Sequence, residues 1–169
     1  MICQRAAWAL IAALAAASAC TEREAPPSAG SGQAGVTKEL ELGPHRVQVS
    51  APAGWDVLDQ GAQKRFRKGE SEILLENLGK TDWDPALTSL SDDQRREVKS
   101  RNLIMIDNHE ALDVETWNRL DHTWPLRLLF VRVDDDLLAL QTPRRADDET
   151  LKAFDSIRDS LHFASSVRR

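Results

Sequence analysis

Short runs in which apolar and polar residues alternate constrain the fold of this chain more than any other sequence feature. Val47 and Val49 alternate with Arg46 and Gln48, which is the two-residue period of a strand with one buried face. Turn signals such as Gly43-Pro44 separate the runs, and Asp134-Asp135-Asp136 is expected to be a tight turn. The predicted strands are Lys38–Leu42, His45–Ser50, Asp56–Leu58, Gln63–Arg67, Ser71–Leu78, Leu103–Ile106, Ala111–Leu120, Leu126–Val133 and Leu137–Thr142.

A helix is predicted in the middle of the chain, over about residues 85–101. Asp84 before Pro85 is typical of a helix N-cap followed by proline in the first turn. Ser91-Asp92-Asp93-Gln94 resembles a second capping box, so the segment is either one helix or a broken pair. The residues spaced for one face are Leu87, Leu90, Gln94 and Val98.

The last helix has the clearest pattern in the sequence. Acidic residues at 147–149 load its first turn, where the helix dipole favours negative charge. Leu151, Phe154, Ile157 and Leu161 then form one apolar stripe. An antiparallel sheet with one inserted and one terminal helix predicts a single α+β domain over residues 38–163, in which helices cover the sheet.

The first nineteen residues differ from this domain and are expected to be a signal peptide. Arg5 precedes an apolar run from Ala6 to Ala17, which matches the short positive region and apolar region of a secretory leader. The run is shorter than the roughly 20 residues that a membrane span needs. We therefore expect residues 1–19 to be removed.

Cys20 is expected to carry a lipid. Ala17-Ser18-Ala19-Cys20 resembles the lipobox of bacterial lipoproteins, in which the cysteine is acylated and becomes the first mature residue. The sequence departs from the lipobox pattern at Ala17, where leucine is commonest. Ala17-x-Ala19 also fits cleavage by ordinary signal peptidase, so lipidation and a free Cys20 remain two alternatives here.

Residues 20–37 are expected to form a disordered tether after the lipidated cysteine. They contain Pro26-Pro27 and several glycines and serines but almost no large apolar side chain, so they cannot bury enough surface to fold. The other cysteine, Cys3, lies in the leader, so the mature domain has no disulfide. Residues 164–169 are expected to be a frayed tail.

The order of these elements resembles the PsbP-like fold. The resemblance rests on the Pro52-x-Gly54-Trp55 loop, the long C-terminal hairpin and the closing pattern Phe154-x-x-Ile157-x-x-Ser160-Leu161-x-Phe163. The group includes the extrinsic photosystem subunit and bacterial DcrB-type periplasmic lipoproteins. It implies an α/β/α sandwich whose relatives bind or stabilise other proteins, and it brings no catalytic residue to this chain.

No constellation in the sequence predicts catalysis, a metal or another cofactor. The four mature histidines have no metal-ligand spacing, and Asp134-Asp135-Asp136 lacks the glycine and distant glutamate of a calcium loop. Serine-nucleophile and phosphate-binding motifs are absent from the sequence. The net charge of −5 is spread along the chain without a basic stripe, so nucleic acid is not an expected partner.

Tryptophans supply the candidate binding residues. Trp117 lies on the more polar face of its predicted strand, which it shares with Arg119, and Trp124 follows nearby. Exposed indoles and guanidiniums are typical of protein interfaces. Alternatively, the terminal helix or the tether covers Trp117.

These features favour a non-enzymatic envelope lipoprotein that is anchored to a membrane through Cys20 and binds a protein partner. The first alternative is a carrier for a small apolar ligand or lipid. The second is an enzyme acting on cell wall or lipid. Excess apolar volume around Leu126–Val133 would favour the carrier. By the lipoprotein sorting rule, an aspartate directly after the cysteine retains a lipoprotein in the inner membrane. This chain has Thr21 at that position, so we expect its anchor to lie at the periplasmic face of the outer membrane.

Overall fold

The computed structural model describes residues 35–90, 96–123, 125–142 and 146–164. Within these residues the chain forms ten strands and two helices. The strands are β1 (Val36–Leu42), β2 (His45–Ala51), β3 (Asp56–Gln60), β4 (Gln63–Lys68), β5 (Ser71–Asn77), β6 (Arg96–Ile106), β7 (His109–Asn118), β8 (Leu126–Val133), β9 (Asp136–Gln141) and β10 (His162–Phe163). The helices are α1 (Trp83–Leu90) and α2 (Asp148–Asp159).

The strands form two antiparallel sheets. The large sheet has the order β3-β4-β5-β9-β8-β7-β6, and the small sheet has the order β1-β2-β10. Most neighbours are also consecutive in the chain, because short turns join antiparallel strands directly. The α+β class and the antiparallel sheet expected from the sequence are confirmed.

Both faces of the large sheet are covered near its centre. On one face Leu129 and Val131 of β8 pack in a cluster with Phe154 of α2 and with residues of the small sheet. On the other face Leu128 and Phe130 pack in a second cluster with α1. Because β8 is buried on both sides, it is apolar almost throughout rather than alternating.

The predicted helix over 85–101 is wrong for its second half, which is part of strand β6. Val98 pairs with Thr116 and Arg101 with Val114 across the β6–β7 hairpin. The helical spacing of Val98 is a coincidence, since antiparallel pairing with β7 along one side of the strand overrides local propensity. The capping box at 91–94 lies outside the described residues.

The helix ends also differ in detail from the prediction. Helix α1 begins at Trp83, so Asp84 lies in its first turn instead of capping it. In α2, Asp147 is the N-cap, and its Oδ1 accepts a hydrogen bond of 2.8 Å from the Thr150 N–H. The buried face of α2 is shifted from the predicted apolar stripe, because Leu151 is only partly buried while Ala153 is buried.

The boundaries of the domain differ slightly from the expected ones. Strand β1 begins at Val36, so two residues assigned to the tether pair with β2. Ala164, assigned to the tail, donates its N–H to the Arg46 carbonyl at 3.0 Å. The leader, Cys20, tether residues 20–34 and tail residues 165–169 lie outside the described residues. Neither described helix has the length and apolar character that crossing a bilayer requires.

Candidate interaction surface

Trp117 lies on a small exposed cluster, the Trp117 surface, which also contains Glu97, Lys99 and His122. The rings of Trp117 and His122 are stacked, with centroids 4.7 Å apart and planes 5° apart. The Lys99 Nζ lies 4.9 Å from the centre of the Trp117 ring, a cation–π distance. The indole is therefore partly covered, by two side chains that sequence reasoning did not identify.

A turn after β7 positions the aromatic pair. The His122 N–H donates to the Asn118 carbonyl at 2.8 Å, and the Asn118 N–H donates to the Thr123 carbonyl at 2.9 Å. Asp121 accepts from the Thr123 hydroxyl and N–H, and these bonds hold the pKa of its carboxyl below the usual value. His122 has a positive φ of 53°, so this turn fixes it in a conformation that few residues adopt.

The structure describes two of the three predicted binding residues, Trp117 and Arg119, both at one end of the β6–β7 hairpin. Trp117 is on the strand, partly buried, whereas Arg119 lies beyond the end of β7 in the exposed turn. Trp124 lies outside the described residues. Helix α2 was one of the two expected covers for Trp117. The side chains found against the Trp117 ring are instead Lys99 of β6 and His122 of the turn.

A second exposed feature of the same hairpin is the β6 apolar row, formed by Val98, Leu103 and Met105. Their exposed fractions are 44%, 76% and 62%. Leu103 pairs with Leu112, which is 1% exposed and packs in the cluster with α1. The row therefore faces the α1 side of the sheet, and Leu103 remains exposed although Leu112, its neighbour on β7, is buried.

Strand β6 is the last strand of the large sheet, and β7 is its only neighbour among the described strands. Sequence reasoning missed this edge because it assigned residues 96–101 to a helix. The signal that could have identified it is the absence of glycine and proline from Arg96 to Ile106, together with the four apolar residues that end this run.

Among the histidines weighed as metal ligands, His122 lies on the Trp117 surface, whereas His45 is buried at the start of β2. His45 is 7% exposed, and its Nε2 is 2.9 Å from an Asp136 carboxylate oxygen. Its Nδ1 is 4.0 Å from Asp134, so both ring nitrogens face carboxylates. Among the described residues, no group of three or more His, Cys, Asp or Glu side chains is arranged to hold a metal ion.

A cleft of about 670 Å³ lies between β1 and the β3–β4 turn. Its lining includes Glu39, Glu41 and Asp59 together with Lys64, which is 2% exposed. The Lys64 ammonium donates to Asp59 at 2.5 Å, and this bond lowers the pKa of the aspartate. The cleft is polar and does not border Leu126–Val133, where an apolar ligand was considered.

Comparison with known proteins identifies the fold. No protein-family model and no curated protein matches the sequence. Among solved structures, the cyanobacterial PsbP protein (CyanoP) from a Synechocystis species matches with a TM-score of 0.54 and 14% identity, over 82% of this chain and 100% of that one. A structure from Bacteroides thetaiotaomicron matches with a TM-score of 0.44 and 9% identity, over 70% of this chain and 45% of that one.

At this identity the likeness to the cyanobacterial protein concerns the fold alone. It agrees with the two antiparallel sheets and two helices described above. The domain therefore has a PsbP-like fold.

Proposed function

We propose that this protein is a non-enzymatic envelope lipoprotein whose domain binds another protein through its β6–β7 hairpin. The supporting observation is the position of the exposed apolar side chains. Of the six large hydrophobic residues that are exposed among the described residues, four lie on β6 or in the turn after β7. These four are Val98, Leu103, Met105 and Leu120.

Such clustering has a free-energy consequence. Burying one leucine or methionine side chain contributes roughly 1.5–3 kcal/mol, and Leu120 and Leu103 are 83% and 76% exposed. Scattered exposed apolar residues are ordinary, whereas several on one hairpin are typical of an interaction site. Burial of these side chains by a partner would therefore contribute to the free energy of binding.

Residues at the other end of the hairpin, away from the β6–β7 turn, also suit a protein partner. Trp and Arg are the residue types that contribute most often to binding hot spots, and Trp117 and Arg119 lie at one end of the hairpin. Lys99 and Glu97 give this end charges of both signs, a mixture that favours protein over nucleic acid.

The anchor belongs to the same proposal. A lipid on Cys20 would hold the domain at a membrane, and two or more acyl chains make such anchoring stable. By the lipoprotein sorting rule, Thr21 places the anchor at the periplasmic face of the outer membrane. Membrane attachment would raise the local concentration of any partner in the same membrane.

The test is reversible crosslinking and pull-down from envelope membranes of cells that produce the native protein. Three variants are compared: Cys20→Ala, the double variant Leu103→Lys with Met105→Lys, and Leu58→Lys. Leu58 is 40% exposed on β3 at the opposite edge of the same sheet, so it is a matched control for added surface charge.

We expect a partner to be recovered with the native protein and with Leu58→Lys. Its recovery should fall at least about tenfold with the double variant, since about 1.4 kcal/mol of lost binding free energy gives that factor. Cys20→Ala should leave the membrane fraction and lose the partner. Equal recovery with the double variant and the native protein would contradict the β6–β7 site, and a membrane-bound Cys20→Ala variant would contradict the anchor.

A further inference from the structure

We infer that the partner binds as an added β-strand, by laying an extended segment along the outer edge of β6. This inference rests on the proposed function and specifies the kind of partner. An edge strand presents backbone N–H and C=O groups that a further strand can pair. Strand β6 has eleven residues, and its one neighbour among the described strands is β7.

The first half of β6 carries the features by which proteins protect such an edge. Its register with β7 shifts between Val98 and Ser100, so Lys99 is an extra residue in a bulge. Lys99 and Arg101 are exposed and charged. Bulges and basic side chains both disfavour further pairing.

The second half of β6 lacks these features. Residues Asn102–Ile106 pair regularly with β7 and carry no charge. Leu103 and Met105 extend from them on one face, 76% and 62% exposed. On the other face Ile104 packs partly against the core. A regular, uncharged edge with exposed apolar side chains is a ready template for pairing.

The opposite edge of the sheet is shorter and carries negative charge. Strand β3 has five residues, and two of them, Asp56 and Asp59, are exposed carboxylates. A partner strand would meet negative charge there beside a single exposed leucine. The contrast points to β6 as the edge that is used.

The side chains also define the segment that fits. An apolar residue at every second position would cover Leu103 and Met105, since such positions share one face of a strand. Acidic residues at one end would lie near Lys99 and Arg101. These two cations now pair with Glu115 and Asp84, each at 2.8 Å. Exposed pairs of this kind contribute little free energy and are readily exchanged.

A second copy of this chain fits the same edge less well. Stable interfaces between folded proteins bury roughly 1,200–2,000 Å², which two exposed side chains per copy do not approach. A flexible segment needs less side-chain area, because main-chain hydrogen bonds along the edge add to its affinity.

The test uses a synthetic peptide and the processed protein, purified from membranes in detergent. The peptide has ten residues, with two glutamates at one end and alternating valine and threonine in the rest. A matched control peptide has the same sequence with every valine and threonine N-methylated, which removes the backbone donors along both edges of this stretch while keeping the side chains. Amide hydrogen exchange of the protein is measured residue by residue, together with its sedimentation.

We expect the peptide to slow exchange at least about tenfold at alternate amides within Asn102–Ile106, those whose N–H points outward. The Leu58→Lys variant should behave like the native protein. The methylated peptide should have no effect, and the double variant Leu103→Lys with Met105→Lys should lose the protection. Circular dichroism melting curves check that each variant is folded.

Three results would overturn the inference. Protection by both peptides would show binding through side chains alone, and protection on β3 or on no strand would exclude β6. A dimer that sediments without peptide and shields Asn102–Ile106 would make a second copy the occupant. In each case a partner captured by crosslinking would still support the proposed function, so the two failures are distinguishable.

Discussion

At the scale of single residues, one buried histidine joins the two sheets. His45 lies at the start of β2, and its Nε2 is 2.9 Å from Asp136 in β9. The Asn77 amide donates to Asp136 and to the Leu42 carbonyl, both at 3.2 Å. These bonds hold the pKa of Asp136 below its ordinary value, the Asn77 bond contributing most and His45 next.

The first prediction concerns Asp136→Asn. Because folding lowers the pKa of Asp136, its stabilisation is fully present above the unfolded value of 3.8 and disappears as the pH falls through the folded value. We expect the free energy of unfolding of the variant to be about 1 kcal/mol lower at pH 7, since hydrogen bonds to a charged group are stronger than neutral ones. Urea titrations between pH 3 and pH 7 should show the difference shrinking in acid.

Asp135→Asn is the control for that prediction. Asp135 is 78% exposed and pairs with Lys80, which is 76% exposed, so its removal should change the unfolding free energy by less than about 0.5 kcal/mol. If Asp135→Asn lowered the unfolding free energy as much as Asp136→Asn, the buried contact of Asp136 would not be the source of the stabilisation.

At the scale of secondary structure elements, ion pairs connect α2 to the large sheet. Asp113 of β7 contacts the Arg127 guanidinium at 2.9 Å and the Arg158 guanidinium at 3.3 Å. The three side chains are only 14–20% exposed. Asp155 of α2 lies 3.0 Å from Arg158 and 3.5 Å from Arg127, so this network joins β7, β8 and α2.

The second prediction is that Asp113→Ala strongly destabilises the domain. The change leaves two largely buried guanidiniums with less counter-charge, and breaking a buried pair from one side is more costly than losing an exposed pair. We expect the unfolding free energy to fall by about 2–4 kcal/mol in urea titrations. Asp159→Ala, at a side chain that is 65% exposed, should change it by less than about 1 kcal/mol, and similar losses in both variants would contradict the prediction.

At the scale of the whole domain, the last strand connects the small sheet to the end of the large one. Strand β10 pairs with β2, and the Phe163 N–H donates to Asp107 at 2.7 Å in the β6–β7 turn. The Phe163 ring also meets His109 edge-on, with centroids 5.0 Å apart. Residues near both ends of the described chain thus meet in one core.

The third prediction concerns this connection. Phe163→Ala should lower the unfolding free energy by about 3 kcal/mol while leaving one cooperative transition, because the small sheet shares its core with the large one. Fluorescence and circular dichroism melts should give the same midpoint. His162→Ala, at a side chain that is 63% exposed, is the neighbouring control. Two separate transitions in Phe163→Ala would show that the sheets unfold independently.

The strands with alternating or fully apolar patterns and the start of the last helix could be predicted from neighbouring residues alone. Val47 and Val49 alternate with polar residues because one face of β2 is buried, and Asp147 caps α2 through its own Thr150. These are local effects, set by neighbours within a few residues. The motif at Cys20 likewise depends on contiguous residues, and lipidation stays a prediction.

The position of β6 and the surroundings of Trp117, in contrast, depend on contacts between residues far apart in the chain. The backbone hydrogen bonds of residues 96–101 are supplied by β7, so their strand form depends on contacts that local propensity does not contain. His122 reaches Trp117 through a turn with a positive φ, which no periodicity reveals. The candidate site was found only in part from the sequence, because an exposed edge is defined by which strands are neighbours.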